Sequence, residues 1–451
     1  MFKKIEIWIL YITLVFVFIF FIIFGAMIRR ETLGGGYIPI ITPVSKVAMF
    51  LAEIPFNLKS IVIDNPHRKE NRFQNKYGFV GEPNKDNVYL LLSRYNNDVK
   101  NGIVELVDLQ NFEVMHSWNP DFNLIEDHFH LDDSPRLDNS VRQVDASRLL
   151  LHPVFDKEGS LIFHNAFYFK IDSKSNFLDI KHDVTYHHST ERDFDNNFWI
   201  CVSYFPYKID SKYVGNKYLD YNDDGIRKIS ENGEILFDKS VSEILIENDM
   251  EYLLFSVTDN YKVDPIHLND IQPVNHDSKF WKRGDVFLSL RNLSLIILYR
   301  PTTNEIIWKS KPNKIFNQHD VNILDDHRVS IFNNNMKFYN KSEIGVVDGH
   351  NQVVIYNFQN DEYSFYLNES LEREDVRTIR EGQSEILPNG DLFVQENNYG
   401  RLLYFNKDGS LRWENINRAS DGSIYTTSWS RILHSNEDIK NIKRFLKTKN
   451  K

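Results

Sequence analysis

Cysteine is almost absent from this chain: Cys201 stands alone among 451 residues. One thiol forms no intramolecular disulfide and cannot furnish a cysteine-ligated metal cluster. Positive charge is also short. The 53 Lys and Arg face 63 Asp and Glu, a net charge of −10. No basic stripe is present to neutralise phosphates, which argues against a general nucleic-acid binder. Alanine is scarce while aromatic residues make up 14%, a balance that favours strands over long helices. Nucleotide-binding loops are missing as well. Gly34-Gly35-Gly36 has neither a strand before it nor a Lys after it, so it is not a phosphate cradle.

Long uncharged runs are also rare, with one exception. Ile7 to Ile28 carries no charge and is bracketed by Lys3-Lys4 and Arg29-Arg30. At ~1.5 Å per residue, about 22 residues span a hydrocarbon core of ~30 Å. Phenylalanines run almost to its end and Gly25-Ala26 is its only small pair. It reads as an uncleaved signal anchor rather than a cleaved leader. Basic residues lie on both sides. The amino terminus beside Lys3 and Lys4 tips the balance to N-inside, which places the soluble part on the extracytoplasmic (periplasmic) side. Residues 1–6 are then a short flank, 7–28 a transmembrane helix and 29–78 a juxtamembrane linker. Within that linker, Val44 to Leu51 is a candidate interfacial helix, with a packed linker as the alternative.

From about Phe79 onward, short apolar runs alternate with Asn, Asp and Gly turns. A unit of strand, polar turn and strand ending in an aromatic residue recurs. The clearest copies are Gly225–Phe237, Leu295–Trp308 and Gly400–Trp413, with weaker ones ending near Trp118, Phe177 and Phe365. Asn-Gly and Asp-Gly supply the positive φ that tight hairpins need. The spacing suits four-stranded blades. The fold expected is all-β: a six-bladed β-propeller over residues 79–435, with residues 436–451 a basic tail or short helix. A pair of β-sandwiches with incidental repetition is the alternative.

Three segments place histidines just ahead of strands: Tyr186-His187-His188-Ser189, Asp264-Pro265-Ile266-His267-Leu268-Asn269-Asp270 and Asn317-Gln318-His319-Asp320-Val321. The second leads shortly to Ser289-Leu290-Arg291. Like positions in a repeated unit suggest a ring of inward-pointing groups on a closed fold.

The stretch from Val184 to Trp413 resembles the bacterial arylsulfotransferases that do not use an adenylated sulfate donor. The resemblance is carried in order by His267-Leu-Asn-Asp-Ile-Gln-Pro-Val274, Gly284-Asp-Val-Phe-Leu-Ser-Leu-Arg291, Glu305-Ile-Ile-Trp308, the run from Gln318 to Asn335, and Glu381-Gly-Gln-Ser-Glu-Ile-Leu-Pro-Asn-Gly-Asp391. It implies a six-bladed propeller and ping-pong transfer of a sulfuryl group from an aryl sulfate to a phenol. It also implies that His319 is the nucleophile forming a sulfohistidine, and that His267, Asn269 and Arg291 bind sulfate. His188 falls at the remaining family histidine, with His187 a close competitor. The family's periplasmic enzymes carry a cleavable signal, an extra β domain and a disulfide, where this chain has an anchor and one cysteine. No cofactor or metal is expected. The expected partners are an aryl sulfate donor, a phenolic acceptor and, through the anchor, a membrane. Nothing in the sequence speaks to oligomeric state.

The chemistry suits these residue types. A moving sulfuryl group keeps three equatorial oxygens, so catalysis is mainly positioning and charge stabilisation. Arg291 is a fixed fork of donors, charged at any relevant pH. His188 and His267 are expected to be protonatable near neutrality, and Asn269 adds a neutral donor. The nucleophilic nitrogen of His319 must be unprotonated, which its other nitrogen can ensure by donating to a carboxylate or carbonyl. Asp320 is not that partner, because adjacent strand residues face opposite ways. Structural histidines, a three-histidine zinc site, and a propeller that binds an anionic (sulfated or carboxylated) ligand at its axis without turnover are the competing readings. Arg291 disfavours zinc.

Other signals are weaker. Asp220 to Glu231 formally fits a calcium loop but lacks flanking helices. His276, His327 and His350 read as solvated. His128 and His130 share a face if Asp127–His130 is a strand. Cys201 reads as a small core residue. Asn340 and Asn368 sit in chance-level glycosylation sequons.

Overall fold

The structure is a computed structural model that describes residues 6–32, 38–63, 67–128, 148–156, 159–214, 221–256, 263–338 and 345–449. The chain divides into two compact units, Met1–Pro66 and His67–Lys451.

The first unit holds two helices. Helix Ile7–Thr32 contains, over Ile7–Arg30, the one stretch among the described residues long and apolar enough to cross a membrane, with a mean hydropathy of 3.0. Its length and composition suit a membrane anchor or a signal sequence. The second helix, Ile41–Ile63, is much longer than the Val44–Leu51 segment expected from the sequence. Pro43 sits in its first turn, where no backbone donor is needed. Thr42 Oγ1 accepts from the Ile38 amide at 2.9 Å and from Arg30 Nη2 at 3.2 Å, which ties the turn together.

The second unit is all-β and propeller-like. Four of its sheets are separate blade-like units of antiparallel strands. One runs Leu268–Pro273, Val286–Leu290, Leu295–Arg300, Glu305–Lys309. The next runs His319–Ile323, Arg328–Asn333, Gln352–Asn357, Glu362–Tyr366. A third runs Gln383–Ile386, Leu392–Glu396, Arg401–Phe405, Leu411–Ile416, with Gly78–Gly81 added at its edge. The fourth joins the two ends of the unit: Arg431–Leu433 pairs with Tyr89–Asn96, then come Asn101–Asp108 and Glu113–Trp118. The entropy of closing so long a loop grows only logarithmically with length, so this distant pairing is a modest additional cost. A six-stranded sheet, Leu151–Phe155 through Ile235–Ser240, completes the set of larger sheets.

Apolar strands with both faces covered explain the near-continuous hydrophobic runs. In Val286–Leu290, Val286 and Leu288 pack with Trp199, Cys201 and Ile226, while Phe287 packs with Val321, Val329 and Ile331. Cys201 is fully buried, as the sequence suggested. Gly233 turns the hairpin between Ile229 and Ile235 at φ +83, a conformation glycine adopts without strain. The C-terminal segment Asn436–Lys449 is a helix, and its Ile442 and Phe445 are buried with Trp118.

Candidate active site

His319 is the first residue of its strand and Asn269 the second of its own. His188 lies inside the long strand Phe177–Arg192, at a bulge with φ +52. This strand pairs with Leu161–Ile171 from Phe177 to Tyr186 and with Phe198–Tyr204 from Thr185 to Arg192, so the change of partner falls at Thr185–Tyr186, just ahead of the bulge. The next residue in each case ties one sheet to the next. Ser189 Oγ accepts from the Ile271 amide at 3.0 Å, Asp270 from Val321 at 2.7 Å and Asp320 from Ser384 at 2.7 Å. Asp320 is thus a stitch between strands, in keeping with its rejection as the partner of His319.

His267 precedes its strand at φ +51, and its carbonyl accepts the Arg291 amide at 3.1 Å. The hairpin between them therefore sets Arg291 beside His267. The His188 ring centroid lies 5.0 Å from that of His267 and 6.4 Å from that of His319. The structure brings His188, His267 and His319 together, with the Arg291 charge near enough to act on His319. Asn269 is wholly buried. Its Nδ2 donates to the Gln318 carbonyl at 2.8 Å, while its Oδ1 has no partner. His187 adjoins His188, at 5.2 Å between centroids, but its Nε2 faces Asp224 Oδ1 at 3.3 Å, a charge contact out of hydrogen-bond alignment.

The protonation of His319 follows from its neighbours. Asn334 Nδ2 donates to the Thr378 and Glu381 carbonyls at 3.1 and 2.8 Å, which turns Asn334 Oδ1 toward His319 Nδ1 at 2.7 Å. Nδ1 therefore carries the hydrogen. Nε2 accepts from the Glu381 amide at 3.1 Å and so presents its lone pair. Burial, then the Arg291 charge, push the His319 imidazole down to about 3, with the Asn334 bond acting the other way. This ring is neutral at pH 7.

Elsewhere in the ring the same physics applies. Burial, then the neighbouring imidazoles of His267, His187 and His319, push His188 well below its ordinary range. The expectation that His188 is protonated near neutrality is therefore corrected for the free site: too many imidazoles share a desolvated space. His267 Nδ1 bonds Asp264 Oδ2 at 2.5 Å. Burial alone would raise the Asp264 carboxyl, but the bond and charge of His267 outweigh it and hold it low. Arg291 donates to Asn292 Oδ1 at 2.9 Å and reaches Met336 Sδ at 3.9 Å, and among the described residues it pairs with no carboxylate.

Some residues weighed from sequence lie elsewhere. Asp223 accepts the Lys208 amide and the Ser240 hydroxyl, and Asp224 accepts the Leu268 amide. Both belong to a strand rather than a calcium loop, and Asp220 lies outside the described residues. His327 bonds Asp326 and lies beside Asp325 at the far end of the strand begun by His319. That trio is the metal-spaced group among the described residues. His350 bonds Asn368, and His276 is exposed. His128 ends the short helix Asn123–His128, not a strand; His130 and Asn340 lie outside the described residues.

Sequence reasoning passed over several neighbours. Asn334 was visible only as the middle of an Asn run. His152 occupies the second position of its strand and stacks on Trp429 at 4.0 Å. His164 bonds the His188 carbonyl, and burial pushes its ring down to about 3. A histidine at a strand start was a usable signal for His152. Nothing local marked His164 or Trp429. A polar cavity of about 600 Å³, lined by Glu191, Asp320, Ser384, Trp429 and Arg431 among others, runs along the same strands.

No curated protein matches the chain. Solved structures with similar chains include a Bacteroides caccae protein of unknown function, 12% identical with a TM-score of 0.44, over 73% of this chain and 94% of that one. They also include Kuenenia stuttgartiensis hydrazine synthase, 10% identical with a TM-score of 0.38, over 68% and 71%. Residues 154–418, more than half of the sequence and the whole of the histidine–arginine set, match the family described as Arylsulfotransferase (ASST). On that match, the chain belongs to the arylsulfotransferase family.

Proposed function

We propose that this chain transfers a sulfuryl group from an aryl sulfate ester to a phenol by a ping-pong mechanism through His319. The carrying observation is a neutral imidazole whose Nδ1 hydrogen is fixed by Asn334, beside a guanidinium without a carboxylate partner among the described residues. In the first half-reaction the Nε2 lone pair attacks sulfur, and the S–O bond to the aryl group breaks. The phenolate leaves with the bonding pair. In the second, the acceptor hydroxyl gives its proton to solvent, its oxygen attacks sulfur, and the N–S bond breaks with its pair returning to Nε2. Arg291 neutralises the sulfuryl oxygens. His267, oriented by Asp264, donates to a sulfuryl oxygen or to the leaving phenolate. His188 is neutral in the free site; an oxyanion among the rings offsets their mutual repulsion and favours its protonated form. Asn269 and His187 line the substrate. The Glu381 amide leaves Nε2 as the bond to sulfur forms and becomes a donor to a sulfuryl oxygen.

The scaffold of this reading is six blades over residues 79–435. The six-stranded sheet counts as two, divided near Thr185–Tyr186, where the long strand passes from one neighbour to the other. Val154, Ile162 and Tyr168 pack against Phe198, Ile200 and Val202, the kind of core found between blades. The helix Ile7–Thr32 serves as an uncleaved anchor holding the second unit on the extracytoplasmic side, a topology that protease protection in intact cells tests.

The engagement of Nε2 by the Glu381 amide favours a second reading, a propeller that binds an anionic ligand without turnover. Intact-protein mass separates the two. After exposure to 4-nitrophenyl sulfate, wild type is expected to gain one sulfuryl group and release nitrophenolate, and His319→Ala to do neither, with a rate loss of at least ~10³-fold. Binding without an adduct or phenolate release would overturn transfer.

A further inference from the structure

Many arginines among the described residues meet carboxylates, while others, such as Arg192, Arg412 and Arg418, bond carbonyls or amide side chains instead. Arg227 pairs with Asp183 and Asp238, Arg401 with Glu396 and Glu414, and Arg431 with Glu191. In a protein with ten more acids than bases, that is the expected outcome. Arg291 departs from it, and so does Arg380.

Arg380 immediately precedes Glu381, whose amide touches His319 Nε2. Its backbone is pinned on both sides: the amide donates to Asn398 Oδ1 at 2.9 Å, and the carbonyl accepts from Thr378 Oγ1 at 2.9 Å. The side chain is exposed and makes no hydrogen bond or ion pair among the described residues. The position is therefore held firmly while the guanidinium is left open. Burial, then the charge of Arg380, push Arg291 below its ordinary range, in keeping with the place of Arg380 next to the amide that touches His319. The nearest acid acting on Arg291 is Asp264, which is already bonded to His267.

Two like charges near one site repel, and an anion relieves that repulsion. An aryl sulfate monoester carries one negative charge, for which Arg291 suffices. We propose that Arg380 is a specificity-determining residue that binds a second anionic group, a carboxylate or a further sulfate, on the ring of the aryl sulfate donor. This rests on the sulfuryl-transfer reading for the identity of the ligand. A guanidinium suits either group, because its planar fork matches two oxygens at once.

The test compares 4-nitrophenyl sulfate with an analogue carrying a ring carboxylate, in full-length wild type, Arg380→Met and Arg380→Lys. Dissociation constants come from calorimetry and kcat/KM from nitrophenolate release. Wild type is expected to prefer the carboxylated compound by about tenfold or more in both measures, in line with a charge-assisted hydrogen bond. Arg380→Met should collapse that preference toward unity, Arg380→Lys should restore part of it, and added salt should weaken it. An unchanged preference in Arg380→Met, or no preference in wild type, overturns the proposal. So does a change confined to the KM of a carboxylated phenol acceptor. If the binding preference behaves as stated but nitrophenolate is never released, the transfer reading fails while the role of Arg380 in binding stands.

Discussion

The backbone amide of Glu381 donates to Nε2 of His319 across 3.1 Å, although the two residues are 62 positions apart. Glu381 at φ +58 and Gly382 at φ +94 hold the loop in this place. A Cβ at Gly382 would lie 2.5 Å from Phe332 Cε1 and 2.6 Å from Thr378 Cγ2. Gly382→Ala is therefore expected to cost about 2 kcal/mol or more through backbone strain and overpacking. It should also lower the rate by shifting the Glu381 amide. Urea denaturation and nitrophenolate release check both, and a variant as stable and active as wild type would contradict the picture.

Asn334 holds both His319 and the loop carrying Glu381. Its removal in Asn334→Ala leaves the His319 Nδ1–H without its acceptor and the Thr378 and Glu381 carbonyls without a shared donor. Activity is expected to fall by about 10²-fold or more, as when the tautomer of another catalytic histidine is lost. Asn334→Asp keeps an acceptor and adds a negative charge, which raises the His319 pKa. Its pH–rate profile should gain an acid limb at higher pH than wild type.

His319 itself has a sign that can be checked. Its folded pKa, about 3, lies below the ordinary value of 6.5. The unfolded chain therefore takes up the proton first as pH falls. This group's contribution to stability is present above about 6.5 and is lost progressively between about 6.5 and about 3. In the same window the folded ring stays neutral. Wild-type kcat/KM for the donor should carry no inflection near pH 6.5 from His319, and its imidazole NMR signals should not titrate there.

Asp270 moves the other way. Burial, then the charge of Glu191, raise its carboxyl above the ordinary range. The folded state then holds a proton that the unfolded state has released, so this contribution to stability shrinks as pH rises above about 4 toward the raised folded pKa. Asp270→Asn keeps an acceptor for the Val321 amide and cannot ionise. It is expected to match or exceed wild-type stability at pH 8 and to lose that advantage near pH 4. Denaturation midpoints at the two pH values measure this directly.

How much of this was legible in advance can be seen in particular residues. The alternation around Gly225–Phe237 and Leu295–Trp308 reads directly as paired strands, because side-chain period and turn residues are local properties. The pairing of Arg431–Leu433 with Tyr89–Leu91 leaves no such trace. The ordered His188, His267, Arg291 and His319 set stood out in the sequence, and Asn269 joined it through the resemblance to the family. Asn334 was not singled out, since an asparagine inside an Asn run looks like a turn.

The amino-acid order alone determined an apolar amino-terminal helix, an all-β body and the place of His319 at a strand start, since each follows from residues within a few positions of one another. Only the tertiary structure decided that His319 is neutral with its Nδ1 hydrogen toward Asn334 and that His187 turns to Asp224. These depend on burial and on contacts between separate sheets, where groups dozens of residues apart share one desolvated space.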